Sequence, residues 1–199
     1  MENRKDQIIE AALKRFAHFG FHKTTMNEIA DDLRITKANL YYYYPDKSTL
    51  ILDVVCKIAT DLQADEKKVI DQYANNFMET MFKLIELRGD FTRKYYIFHI
   101  NENLDWIKGI DIYEVMEDFY QRDVALLKCL YEKAMTHEGL VLDNVDEVAR
   151  AMVEIQKGVS FIHTISDMIT GIPNDANVDK IIESQKRAVK LIFEARLAK

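Results

Sequence analysis

The chain has 199 residues, 48% hydrophobic and 30% charged, enough for one generous domain or for a small module joined to a larger one. Its formal charge of −6 and sequence pI near 5.4 exclude a protein that wraps nucleic acid indiscriminately. No apolar run approaches bilayer length, the charged start "MENRKDQIIE" has no apolar signal core, and Cys56 and Cys129 lack metal-spaced companions. A cytoplasmic protein with reduced thiols, no cofactor, no metal and no membrane partner is therefore expected.

Helical periodicity dominates, punctuated by 2 Pro and 6 Gly, so the predicted fold is all-α with about nine helices. Ile9, Ala12, Leu13 and Phe16 form a first stripe that stops at "FGF". Met26, Ile29, Ala30 and Leu33 form a short second one, opened by Thr25 with Glu28 three residues on, the spacing of a capping box. A tight turn at Leu33, Arg34 and Ile35 leads to Thr36, which caps the third helix and its run of four tyrosines. Pro45 ends that helix and Asp46 caps the next, marked by Ile51, Val55, Ile58 and Leu62 and expected to run to about Asp65. Ile70, Tyr73, Ala74, Phe77, Met78, Met81 and Ile85 then predict a single helix. Long helices follow around residues 113–135, 144–169 and 178–197.

Helix, short turn, helix is the spacing that presents a second helix to the major groove. On a helical wheel with Leu40 at zero, Tyr44 falls about 40° away and points inward, whereas Tyr42 falls about 200° away and points outward. Ala38 and Asn39 flank Tyr42, and Tyr41 and Tyr43 stand on the two shoulders. A phenol on an outer face can reach a phosphate oxygen while its ring packs on sugar or a thymine methyl. Lys47, in the first turn of a helix, opposes the macrodipole by about 0.3–1 kcal/mol unless an anion sits nearby. It reads either as a solvated lysine or, with the helix-start N–H groups, as a phosphate clamp.

Phe16, "FGF", "TTMNEIA", Leu33 and "ITKANLYYYYPDKSTL" resemble the N-terminal domain of the TetR family of transcriptional regulators over about the first fifty residues. The resemblance implies a three-helix helix-turn-helix DNA-binding domain, here residues 1–46. It also implies a helical ligand-binding and dimerisation domain, residues 47–199, that pairs as a homodimer through the last two long helices. It places Lys37, Ala38, Tyr41, Tyr42 and Tyr43 at the groove, with Thr25, Asn39, Tyr42 and Lys47 near phosphates of a double-stranded operator. "YYYYPDK" departs from the more usual His or Tyr followed by Phe, a difference that bears on base preference rather than on fold. Charge placement agrees: residues 1–50 carry eight Lys/Arg against seven Asp/Glu, and the remainder 19 against 26. Arg4, Lys5, Lys23, Lys37 and Lys47 are the candidates for a local positive face.

The larger part of the chain has apolar residues on several faces of its long helices, so those helices need more than one neighbour. In "VDEVARAMVEIQKGVSFIHTISDMI", one side suits a core and another a partner subunit, although a monomeric core fits the pattern equally well. Tyr95, Phe98, Trp106, Tyr113, Phe119, Tyr120 and Phe161, with Met78, Met81, Met116 and His99, are the candidate lining of an effector pocket. Rings at this spacing also suit a core, as do His99 and His163. No nucleophile triad, phosphate loop or metal-spaced carboxylate set appears, and Glu102, Asp105 and Asp111 read as solvated, so no enzyme is expected. The expected function is a ligand-responsive regulator, a repressor released from a palindromic operator by a small, largely apolar effector. A constitutive DNA-binding protein and a helical small-molecule carrier are the alternatives.

Overall fold

Helix caps fix where the chain turns. The computed structural model describes residues 3–96 and 112–197, and these hold eight α-helices. Helix α1 (Arg4–Lys23) starts on Asn3, whose side chain accepts from Lys5 N, and its helical geometry breaks at Gly20, where φ is 79°. Helix α2 (Met26–Asp32) begins with the reciprocal capping box between Thr25 and Glu28, which satisfies two otherwise orphaned N–H groups. Arg34 takes a positive φ of 52° in the turn that follows. Helix α3 (Lys37–Tyr43) then starts on the Thr36 hydroxyl and ends before Pro45.

Helix α4 (Lys47–Asp71) begins as the sequence predicts, with Thr49 N donating to Asp46 Oδ1 at 2.8 Å. It runs past Asp65, however, and takes Ile70 with it. The single helix expected to carry both Ile70 and Ile85 is in fact two, because residues 72–76 form a turn and Asn76 caps helix α5 (Phe77–Lys94) by accepting from Glu79 N. Asn75 supplies the reversal with a φ of 57°, a conformation that Asn tolerates better than most residues. Helices α6 (Ile112–Glu138) and α7 (Val145–Thr170) follow, the second closed by Gly171 in the left-handed conformation. Helix α8 (Ala176–Phe193) is shorter than expected, passing into a 3-10 turn at Glu194–Arg196.

Two hydrophobic cores result. The first gathers Ile8, Ala12 and Phe16 of α1, Met26, Ile29 and Ala30 of α2, Leu40 of α3, Tyr44, and Leu50, Ile51 and Val54 of α4. The second is built from α4 through α8, around Ile70, Phe77, Met81, Leu84, Leu127, Tyr131, Met152, Val189 and Phe193. Phe77, Tyr131 and Phe193 meet edge to face or tilted at its centre, with ring centroids 5.0–5.7 Å apart. Helix α4 therefore contributes to both cores, and Phe91 and Tyr95 at the end of α5 reach back to the first. Among the described residues, no helix is long and apolar enough to cross a membrane.

Candidate functional site

On α3 the tyrosines separate as the wheel predicts. Tyr44 is fully buried and its hydroxyl donates to Asp53 Oδ2 at 2.9 Å, whereas Tyr42 is 83% exposed. Burial first, and the carboxylate of Asp53 second, push the Tyr44 phenol above its ordinary range, so it stays a neutral donor at all ordinary pH. Lys5 pairs with Asp53 at 2.9 Å and lies over the Tyr44 ring. Expected on the positive face, Lys5 instead braces the core beneath α3.

The outer surface of α3 is open and aromatic. Lys37, Ala38, Asn39 and Tyr41 are exposed and Tyr43 is half-buried. Lys37 Nζ stands 5.6 Å from the Tyr41 ring centre, and the Tyr42 and Tyr43 rings meet edge to face at 5.3 Å. Thr25 is exposed at the start of α2, with its hydroxyl and N–H both donating to Glu28 Oε2 at 2.8 Å. Lys47, the first residue of α4, is held below its ordinary pKa by burial, against the pull of Glu28. An ammonium desolvated in that way is favoured by an arriving anion. Arg15, bidentate on Asp32, ties α1 to the end of α2, which fixes the platform beneath these side chains.

A second feature borders the larger core. A cavity of about 320 Å³ opens between α5, α7 and α8, lined among others by Leu62, Arg88, Gln156, Lys157, Phe161 and Gln185. Beside it, Arg88 pairs with buried Glu66 and reaches Asp123 Oδ1 at 3.3 Å, while Lys157 lies 3.2 Å from Asp123 Oδ2. Gln63 Nε2 donates to Asp123 at 3.1 Å. Burial raises the Glu66 carboxyl despite Arg88; burial also opposes the charge of Arg88, yet Glu66 and Asp123 hold its pKa above the ordinary value. Four helices, α4 to α7, are joined by this one cluster.

Comparison with known proteins assigns the first core and its open helix. Residues 8–54 match the family model described as bacterial regulatory proteins, tetR family. The N-terminal region is TetR-like. It is 33% identical over 92 residues to the HTH-type transcriptional regulator RutR of Escherichia coli, a match covering 46% of this chain and 42% of RutR. The chain thus spans less than half the length of that relative. A transcriptional regulator from Cytophaga hutchinsonii superimposes with a TM-score of 0.79 at 27% identity, covering 94% of this chain and 98% of that one. Thermus thermophilus FadR, crystallised with lauroyl-CoA, superimposes with a TM-score of 0.62 at 16% identity over 94% and 93% of the two chains, a likeness of fold.

The residues predicted to line an effector pocket are dispersed. Phe161 borders the cavity and is 54% exposed. Met81 is buried in the second core, with Met78 and Tyr120 packed against it. Tyr95 joins the first core, and Phe119 is buried on α6. Tyr113 and Met116 are exposed at the start of α6. Phe98, His99 and Trp106, with Glu102, Asp105 and Asp111, lie outside the described residues. His163 is half-buried, its Nε2 3.3 Å from Ser184 Oγ.

Sequence reasoning missed the polar residues of the cavity wall. Gln156, Ser160 and Thr164 recur at four-residue spacing on α7, a polar stripe inside an otherwise apolar pattern, and that spacing was the available signal. Arg88 and Asp123 carried none, since their pairing spans 35 residues of sequence.

Proposed function

We propose that this protein is a cytoplasmic, ligand-responsive transcriptional regulator and not an enzyme, acting as a repressor that binds a palindromic operator as a homodimer. Residues 1–46 form its reading head and 47–199 its effector and dimerisation domain, with the first turns of α4, which opens the second, packed into the core of the first. The observation that carries the reading is the exposed face of α3, which holds Tyr42 in solvent while Tyr44, two residues on, is fully buried. A solvent-facing aromatic row beside a desolvated lysine suits a phosphate-lined groove better than water. Lys37, Ala38, Tyr41, Tyr42 and Tyr43 read the groove; Thr25, Asn39, Tyr42 and Lys47 hold phosphates.

The dimer reading is supported by α7. Ile162, Ile165 and Ile169 are exposed at helical spacing, and Gly158 continues their stripe with no atom within 4 Å of where a Cβ would stand. A glycine inside a helix is unfavourable by about 1 kcal/mol relative to alanine, and among the described residues nothing occupies the space it leaves. A second copy's helix does so in the proposed seam. A small effector held in the α5, α7 and α8 cavity acts on α4 through the Glu66, Arg88 and Asp123 cluster, moving Lys47 and the reading head together.

Selection of duplexes from a randomised pool, followed by titration of the winner at several salt concentrations, tests the DNA-binding claim. An inverted repeat is expected, with half-sites separated by whole turns of about 34 Å and an affinity that falls steeply with salt. Lys47→Ala should lower affinity for matched and scrambled duplexes alike and flatten the salt slope by about one unit, whereas Lys37→Ala should mainly relax sequence preference. Recovery of no preferred sequence, or equal loss of preference from both variants, contradicts the assignment.

A further inference from the structure

The wall of the α5, α7 and α8 cavity is lopsided in its hydrogen-bonding capacity, and the bias defines what it holds. Ser160 Oγ donates to Gln156 O, Thr164 Oγ1 to Ser160 O and Thr92 Oγ1 to Arg88 O, at 2.9–3.0 Å. A hydroxyl has one proton, so each of these three offers the cavity only lone pairs. Of the nitrogens, Gln185 Nε2 donates to Gln156 O and Ser160 Oγ, Arg88 Nε and Nη2 face Glu66 and Asp123, and Lys157 Nζ faces Asp123. Gln156 is 3% exposed, and its Oε1 accepts from no protein group. Among the described residues the only other buried side-chain polar atom without a partner is the Tyr131 hydroxyl, which belongs to the second core. A buried acceptor left without a donor is costly enough that native proteins rarely retain one without a use.

The charged side chains of the wall, Arg88 and Lys157, are both paired with carboxylates that are not part of it, Glu66 and Asp123, so an ionic ligand finds no unpaired charge there. The rest is apolar, supplied by Leu62, Phe161, Met168, Val178 and Ile181. The volume of about 320 Å³ lies at the small end of the range of about 300–1,000 Å³ for ligand pockets. We infer that this cavity takes a small neutral molecule bearing an amide N–H or hydroxyl donor on an apolar frame, with Gln156 as its hydrogen-bond acceptor. This rests on the reading of the protein as ligand-responsive and names the chemical class of its effector.

The test is calorimetric titration of the full chain with phenylbutyramide, methyl phenylbutyrate, phenylbutyrate and phenylbutylammonium, and with the same four head groups on an octyl frame. In at least one frame the amide should bind about tenfold or more tightly than the other three. Gln156→Leu should abolish that advantage and leave the ester within about twofold, while the unliganded protein melts no lower, because a buried polar group without a partner has been removed. Gln156→Glu, which replaces the amide nitrogen by a second acceptor oxygen, should shift preference toward the ammonium. Equal binding of ester or carboxylate, an amide preference untouched by Gln156→Leu, or a cavity that holds water only and binds no compound overturns the inference. Operator titration in the presence of the amide separates the two readings. Binding through Gln156 that leaves operator affinity unchanged supports this site and removes its regulatory role; operator release by compounds indifferent to Gln156 overturns this site and keeps the regulator.

Discussion

Tyr42 and Tyr44 show how one residue type serves two ends within a single turn of chain. Tyr44 sits in the first core with its hydroxyl on Asp53, while Tyr42 projects from the opposite side of α3. Tyr44→Ala should cost about 2–4 kcal/mol, the scale for losing a buried ring, and lower the thermal midpoint of the reading head. Tyr42→Ala should leave that midpoint unchanged and weaken operator binding. Thermal melts and DNA titrations of the pair decide it, and unfolding by Tyr42→Ala contradicts the assignment. This division was legible in the sequence because angular position on a helix depends only on spacing. The fate of Lys5 was not, since its pairing with Asp53 joins α1 to α4 across 48 positions, and no local pattern encodes such a contact.

Helix α4 is the element on which the mechanism depends, for its first turns are packed into the first core and its last into the second. Its attachment at the far end is the buried pair of Glu66 and Arg88. Arg88→Met should destabilise the protein by about 3–5 kcal/mol, since it leaves a buried carboxylate without its partner, and Glu66→Leu added to it should restore most of that loss. The pH dependence has a definite sign. Glu66 is already raised by burial, and without Arg88 it rises further, so the folded Arg88→Met variant binds more protons than its unfolded chain. Its stability should therefore fall as pH increases from about 4.3, the ordinary Glu value, through the raised one. Urea unfolding at pH 5 and pH 8 checks this; a deficit of equal size at both contradicts it. The start of α4 was legible from Pro45 and Asp46, whereas its end was not. No Pro or Gly marks residues 72–76, and the break is made by Asn75 and the Asn76 cap. The cavity was partly legible, in the stripe of Gln156, Ser160 and Thr164, while Gln185 and Arg88 join it only through packing of α8 onto α7 and of α5 onto α8.

The whole molecule joins a near-neutral N-terminal region, the proposed reading head, to an acidic body, and the proposal requires two copies. Exposed Ile162 and Ile169 lie on the proposed seam, so Ile162→Lys with Ile169→Lys should give a folded monomer by sedimentation. Operator affinity should drop because two half-sites can no longer be held at once. A variant that remains dimeric places the seam elsewhere. In the proposed mechanism occupancy of the α5, α7 and α8 cavity and grip on DNA are linked, and linkage of this kind is commonly worth about 1–3 kcal/mol. The most direct measurement is a titration of the protein against its selected operator at fixed salt, with and without saturating amounts of a compound that raises its thermal midpoint and whose effect on that midpoint is lost in Gln156→Leu. Operator affinity should be weaker by about 5–150-fold in the presence of the compound, with DNA weakening the compound by the same factor. An operator affinity unchanged at saturation contradicts that linkage.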